Sequence, residues 1–259
     1  ALARDSSTEL AGYSNACGIA MRYCLVAPGS VVVTGKDDKP DAPTYRTDLS
    51  GTSFSAPLVS GAAALVWEAF PYFDNDLVRQ TILGTATDIG APGVDPVFGY
   101  GLLNVGKAVR GPAKFDWGDV TANFNSGTST WANDISGTGG LIKRGGGTLN
   151  VSGTAAYGGS TRAEGGTLSF ASSIPGAAIV ESGATLQLGG ARIGGNVVNR
   201  GTFSIIGDSL ARSIAGDFQL ASGGRLAWRV GAPLQGAGSA SLAGEVQVQG
   251  ESLAMPQIT

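Results

Sequence analysis

The chain has 259 residues, 42 of them glycine, and a formal net charge of −3. That length suits one large domain or two ordinary ones, and the absence of a basic cluster leaves nucleic-acid binding without an electrostatic footprint. The single RGGG at 144–147 reads as a turn, and the apolar run around Ala62–Val66 falls short of the roughly 18 residues that a bilayer-spanning helix needs.

The N-terminal ALARDSSTEL has neither an initiator Met nor a signal-peptide pattern, so the chain reads as a processed or truncated piece of a longer one. The two cysteines follow in CGIAMRYC, at Cys17 and Cys24. With no His in the chain they lack the company that a zinc site needs. Their spacing closes a small loop, so a disulfide is expected, contributing roughly 2 kcal/mol in the chain-entropy model. A disulfide implies an oxidising compartment. The alternative is two free, buried thiols.

Residues 1–112 read as mixed α/β. Tyr23–Pro28 and Ser30–Thr34 are short strand candidates, and the charged, Pro-rich stretch 35–48 reads as an exposed loop. Ser55–Phe70 carries Leu58, Val59, Ala62, Leu65 and Val66 at helical spacing, and Pro57 suits an early turn. Being apolar nearly all round, this helix is expected to be buried. A second helix is expected over Asp74–Gly84, with Asp74 as its N-cap and Gly84 as its stop. Residues 99–110 suggest a last short helix, closed by Gly111-Pro112.

Thirteen glycines precede Pro112 and 29 follow it, so the texture changes there. Short runs such as GGGTLNVSG, EGGTLSFA, ESGATLQLGG and NRGTFSIIG alternate in period two. Gly146, Gly165, Gly183, Gly201 and Gly223 open successive units about 18–22 residues apart, a spacing that signals a solenoid. A right-handed parallel β-helix is expected over 113–259, with a β-sandwich as the rival. Lys143, Arg144, Arg162, Arg200, Arg225 and Arg229 read as solvated faces, and Trp131 and Trp228 as packing residues.

The chemistry-bearing stretch is SGTSFSAP at 50–57. A serine hydroxyl is a poor nucleophile unless a base lies close and donors await the oxyanion. Ser53 precedes an apolar helix, whose first turn supplies free N–H groups, and Gly51 would permit a tight turn. Local chemistry alone favours a simpler role for Ser53, that of an N-cap.

The longer run SGTSFSAPLVSGAAAL resembles the nucleophile segment of subtilisin-like serine proteases, the subtilases. LAGYSNACG and CLVAPGSVV upstream, and TATDIG (85–90) and FGYGLLNVGKAV (98–109) downstream, resemble that family's flanking segments. The likeness covers about residues 1–112, as the C-terminal part of a subtilase catalytic domain. It implies Ser53 as the acylated nucleophile, with its backbone N–H as an oxyanion-hole donor and Thr52 as support beside the hole. In the family the catalytic Asp and His and the oxyanion Asn come from earlier sequence. Asp48 and Glu68 read as solvated side chains rather than as a base, so this chain alone is expected to be inactive. Calcium sites are common in the wider family, but no acidic cluster here maps to one, and no metal or other cofactor is expected.

Residues 131–170 resemble the passenger-associated repeat of bacterial autotransporters, through Trp131, Gly140, Lys143, Thr148, Tyr157, Gly159, Thr161 and Gly166. GPAKFDWGDV (111–120) resembles the junction in subtilase autotransporters. The joint resemblance implies a secreted serine endopeptidase of a Gram-negative bacterium, with 1–112 in its protease domain and 113–259 in a Gly-rich passenger stalk. The implied partners are protein or peptide substrates, the N-terminal part of the protease domain, and an outer-membrane translocator barrel in the same full-length chain. The implied location is secreted or at the cell surface, after export through the periplasm and outer membrane. The competing reading is a non-enzymatic adhesin or stalk with a degenerate protease remnant. A D-[ST]-G strand, an H-G-T-x-V helix start and an Asn upstream of Ala1 would separate the two.

Overall fold

In a computed structural model the chain divides into two compact units, Ala1–Pro112 and Ala113–Thr259. The structure describes residues 2, 8–34, 39, 41, 45–206, 211–229 and 233–249; the side chains of 45–48, 229 and 249 lie outside that set, Asp48 and Arg229 among them.

The first unit is mixed α/β. Strand β1 (Ser30–Thr34) pairs antiparallel with β2 (Tyr45–Ser50), and three α-helices follow: α1 (Thr52–Ala69), α2 (Asn75–Gly84) and α3 (Val105–Ala108). The end of the stretch expected as a loop is therefore a strand, because the valine-rich β1 offers it a ladder; residues 35–38, 40 and 42–44 lie outside the described set. Tyr23–Pro28 is not a strand. It makes single bridges, Val26 with Leu102 and Leu2 with Pro28, since Pro28 has no N–H to extend a ladder.

Helix α2 starts as its cap predicts, with the Leu77 N–H donating to Asp74 Oδ1 at 2.7 Å. The last helix is shorter than expected. Residues 99–103 form a turn and single bridges instead, with Gly101 and Leu103 pairing with Val26 and Leu102 pairing with Thr87. Helix α3 begins only after Asn104, whose Oδ1 accepts from the Lys107 N–H at 2.9 Å. Leu2, Val26 and Phe98 form a small core, flanked by Leu10, Ile89 and Leu102.

The expectation that α1 is buried is overturned. Only Ala62 and Val66 are buried, while Leu58, Leu65 and Trp67 are 41%, 45% and 44% exposed. Its apolar residues ring the helix, but the neighbours among the described residues cover one side of it. Between α1 and α2 lies an apolar groove of about 470 Å³, lined by Tyr23, Val59, Trp67, Val78 and Ile82 among others.

The second unit is a parallel β-solenoid. One seven-stranded sheet stacks Thr128–Trp131, Thr148–Val151, Thr167–Phe170, Thr185–Leu188, Thr202–Ile205, Arg225–Arg229 and Glu245–Gln249. The other stacks Val120–Asn123, Leu141–Arg144, Thr161–Ala163, Ala178–Val180, Val197–Asn199, Phe218–Leu220 and Ala240–Leu242. Successive coils stack in register, Gly-Thr-Leu at 147–149 and 166–168, Ala-Thr-Leu at 184–186 and Gly-Thr-Phe at 201–203, so Leu149, Leu168, Leu186 and Phe203 align. These four side chains are fully buried, as the period-two alternation requires. Such a coil cannot hide its apolar side alone, and stacking does it.

The repeat residues fill the first coils. Trp131 is buried edge-on against Phe115, and Tyr157 lies 5.2 Å from the same ring. The Tyr157 and Thr161 hydroxyls share a hydrogen bond of 2.5 Å, and burial pushes the phenol well above its ordinary range. Lys143 corrects the reading of solvated basic faces. It is fully buried, with Nζ donating to the carbonyl oxygens of Arg144 at 2.5 Å and Gly145 at 2.7 Å, and it sits over the Phe124 ring. Arg144, Arg162, Arg200 and Arg225 do lie at the surface, in ion pairs with Glu164, Glu181 and Glu245.

Candidate active site

Ser53 is not an N-cap. The cap of α1 is Gly51, no side chain caps the helix, and Ser53 is its second residue. The Phe54 N–H is taken by Gly51 O at 3.0 Å, while the N–H groups of Thr52 and Ser53 face no intrahelical acceptor. Both side chains are exposed, and among the described residues the Ser53 hydroxyl makes no hydrogen bond. An exposed hydroxyl beside N–H groups without helical acceptors, at a positive helix end, is an arrangement able to hold a developing oxyanion.

The turn that carries Ser53 hangs from residues 27–29. The Gly51 N–H donates to Gly29 O at 2.8 Å. The Ser55 hydroxyl lies 3.1 Å from Ala27 O and 3.0 Å from Pro28 O. Tyr13 donates to Gly29 O at 3.0 Å. Thus SGTSFSAP and LVAPG, widely separated in sequence, meet at one junction. Sequence reasoning missed Ser55 and Tyr13 as members of it. Ser55 lay within the quoted motif, but its acceptors are main-chain carbonyls, which leave no mark in a sequence.

Among the described residues no side chain that could serve as a base is bonded to the serine. The chain has no histidine, and Glu68 is exposed 15 residues along α1, about 22 Å away at the helical rise. No group of three or more metal-ligating side chains occurs among the described residues.

Cys17 and Cys24 are joined in a disulfide across a short 3-10 helix, Gly18–Tyr23. Their loop docks on residues 96–100: the Gly18 N–H donates to Pro96 O at 2.7 Å, and the Tyr100 N–H to Cys24 O at 2.8 Å. Gly99 takes φ 62°, and a Cβ there would collide with the Cys24 carbonyl oxygen.

Residues 1–101 match the sequence profile of the subtilase family. This part of the chain is a subtilase segment. The family is one of serine proteases, and the likeness continues into the solenoid. The Neisserial autotransporter lipoprotein NalP of Neisseria meningitidis serogroup B is 41% identical over 252 residues, covering 93% of this chain and 23% of the relative. Serotype-specific antigen 1 of Mannheimia haemolytica is 39% identical over 155 residues, or 59% of this chain and 16% of the relative. An extracellular serine protease of Serratia marcescens is 30% identical over 237 residues, or 71% of this chain and 23% of the relative. The chain thus spans less than a quarter of the length of these relatives, and it holds the subtilase segment together with the β-solenoid that follows it.

Proposed function

We propose that the chain is part of a secreted, autotransporter-type serine endopeptidase in which Ser53 is the nucleophile. The observation that carries this reading is the exposed, uncapped Ser53 hydroxyl in the first turn of α1, next to N–H groups without helical acceptors. Ser53 Oγ attacks the scissile carbonyl and forms an ester, while its proton passes to a histidine and then to the departing amine. The Ser53 N–H donates to the oxyanion, supported by Thr52. The histidine, its aspartate and an oxyanion asparagine come from sequence preceding Ala1. The solenoid is a stalk that presents the protease, and a translocator barrel in the same full-length chain delivers it to the cell surface or medium. Proteins or peptides are the substrates.

The test uses the full-length gene product. Its upstream sequence is expected to contain D-[ST]-G, H-G-T-x-V and a separate Asn, and a fluorophosphonate probe is expected to label Ser53. Ser53→Ala is expected to abolish labelling and peptide hydrolysis. Absence of the upstream motifs, or undiminished hydrolysis by Ser53→Ala, overturns the reading in favour of an adhesin or stalk with a degenerate protease remnant. The 259-residue chain by itself is expected not to label; stoichiometric labelling of it would mean that its base lies within these residues.

A further inference from the structure

We propose that the Cys17–Cys24 disulfide is a positioning element for Ser53, acting through residues 25–29 and the Ser55 hydroxyl. This inference rests on Ser53 being the nucleophile. Residues 25–29 belong to no strand, so no sheet ladder fixes them. They are held at a few points instead. At the near end, Cys24 is bound covalently to Cys17, and its carbonyl accepts from the Tyr100 N–H. In the middle, the Val26 N–H donates to Gly101 O at 2.8 Å, and Val26 O accepts from the Leu103 N–H at 2.8 Å. At the far end, the carbonyls of Ala27, Pro28 and Gly29 receive Ser55, Gly51 and Tyr13.

The far-end contacts bracket the nucleophile. Gly51 lies two residues before Ser53 and Ser55 two residues after it, and both are bonded to the same three-residue run. Whatever shifts Ala27–Gly29 therefore shifts the turn that carries Ser53. The disulfide is the covalent restraint nearest that run, since Cys24 lies three residues before Ala27. Apart from the Cys17 and Gly18 N–H bonds to Val97 O and Pro96 O, its loop lies in the open: no residue of Gly18–Tyr23 is buried, and Ile19 is fully exposed. Opening the disulfide removes the covalent hold at the Cys24 end and leaves the segment to hydrogen bonds, from Tyr100 to Cys24, between Val26 and Gly101 and Leu103, and from Leu2 to Ala27. A nucleophile displaced by a fraction of an ångström loses rate steeply, because acyl transfer needs near-attack geometry. Cys17, Cys24, Ser55 and Tyr13 all act through other groups, so they are positioning residues.

The test is a cycle in the full-length protein: Cys17→Ser with Cys24→Ser, Ser55→Ala, and the combination. Rates of fluorophosphonate labelling, kcat, KM and thermal midpoint are measured, with Ser53→Ala as the control. Each variant is expected to lower kcat and labelling rate on the order of tenfold, with KM nearly unchanged. The combination is expected to be no worse than the weaker of its parents, because both act on one segment. A fall in thermal midpoint with kcat unchanged would make the disulfide merely structural and overturn the proposal, as would losses that multiply. Should the serine pair fail to accumulate, the same cycle with Tyr13→Phe and Ser55→Ala decides, since both meet residues 27–29. A labelled parent with unaffected variants overturns this inference alone; a parent that never labels overturns the nucleophile as well.

Discussion

The Lys143 ammonium lies 4.4 Å from the centre of the Phe124 ring, inside a corner of the solenoid whose other walls are carbonyl oxygens. Burial pushes its pKa from the ordinary 10.5 down to about 8. Between these values the folded chain binds fewer protons than the unfolded one, so this residue adds stability as pH rises from about 8 toward 10.5. That gain is lost again as pH falls through about 8. Denaturant midpoints measured from pH 7 to 10 are expected to rise in the parent relative to Lys143→Met. Parallel curves would contradict this. At a fixed pH of 9, Lys143→Met is expected to cost about 1–3 kcal/mol, because two carbonyls lose their donor.

Unreduced protein digested and weighed by mass spectrometry is expected to yield a peptide pair linked through Cys17 and Cys24. Two freely alkylatable thiols would contradict it. Replacing both by Ser is expected to cost about 2 kcal/mol in thermal or denaturant unfolding of the first unit, the amount that a small closed loop contributes.

Truncating Trp131 tests the packing of the first coils. It is fully buried against Phe115, so its removal leaves a large space inside the coil. Trp131→Ala is expected to cost about 3–5 kcal/mol, read from denaturant unfolding of the solenoid. Tyr157→Phe leaves the Thr161 hydroxyl without its partner and is expected to cost about 1 kcal/mol. An equal cost for the two would argue against the aromatic cluster as the main packing element.

The bare face of α1 predicts association. Leu58 and Leu65, two turns apart on one side of the helix, are each more than two-fifths exposed, and so is Trp67, which lies on the groove side with Val59 and Ala63. Clustered apolar exposure of this kind drives self-association or dye binding. The 259-residue chain is expected to bind an apolar dye and to associate as concentration rises, and Leu58→Lys with Leu65→Lys is expected to suppress both. A monodisperse parent at high concentration would refute this.

The solenoid was legible because its rule is local and repeated. Each Gly-Thr-Leu unit needs only its neighbour, so period-two alternation and a near-20-residue interval determine coil, register and interior together. The nucleophile turn was legible only as a motif. Its junction with Ala27, Pro28 and Gly29 depends on carbonyl groups that every residue possesses. Three misreadings have physical causes. Helix α1 is apolar all round, a pattern that reports what the helix can bury rather than what lies against it. Strand β2 ends a stretch rich in proline and charge, yet Val31 and Leu49 align in its ladder. Lys143 carries a charge, and a carbonyl-lined corner can hold a charge out of water where composition alone places it outside.

The in-register stacking of the coils has a consequence for insertions and deletions. A coil meets only the one below and the one above, and equivalent positions recur at each step, such as Leu149, Leu168 and Leu186. Removing residues 167–184 joins Gly166 to Thr185, which replaces one Gly-Thr-Leu step with the next and keeps every inward position inward. Removing Ser169 alone turns Phe170 to the outside face of its strand. The stalk therefore has a natural unit of length: it can be shortened or extended by whole coils like a ruler cut at its marks, but not by single residues.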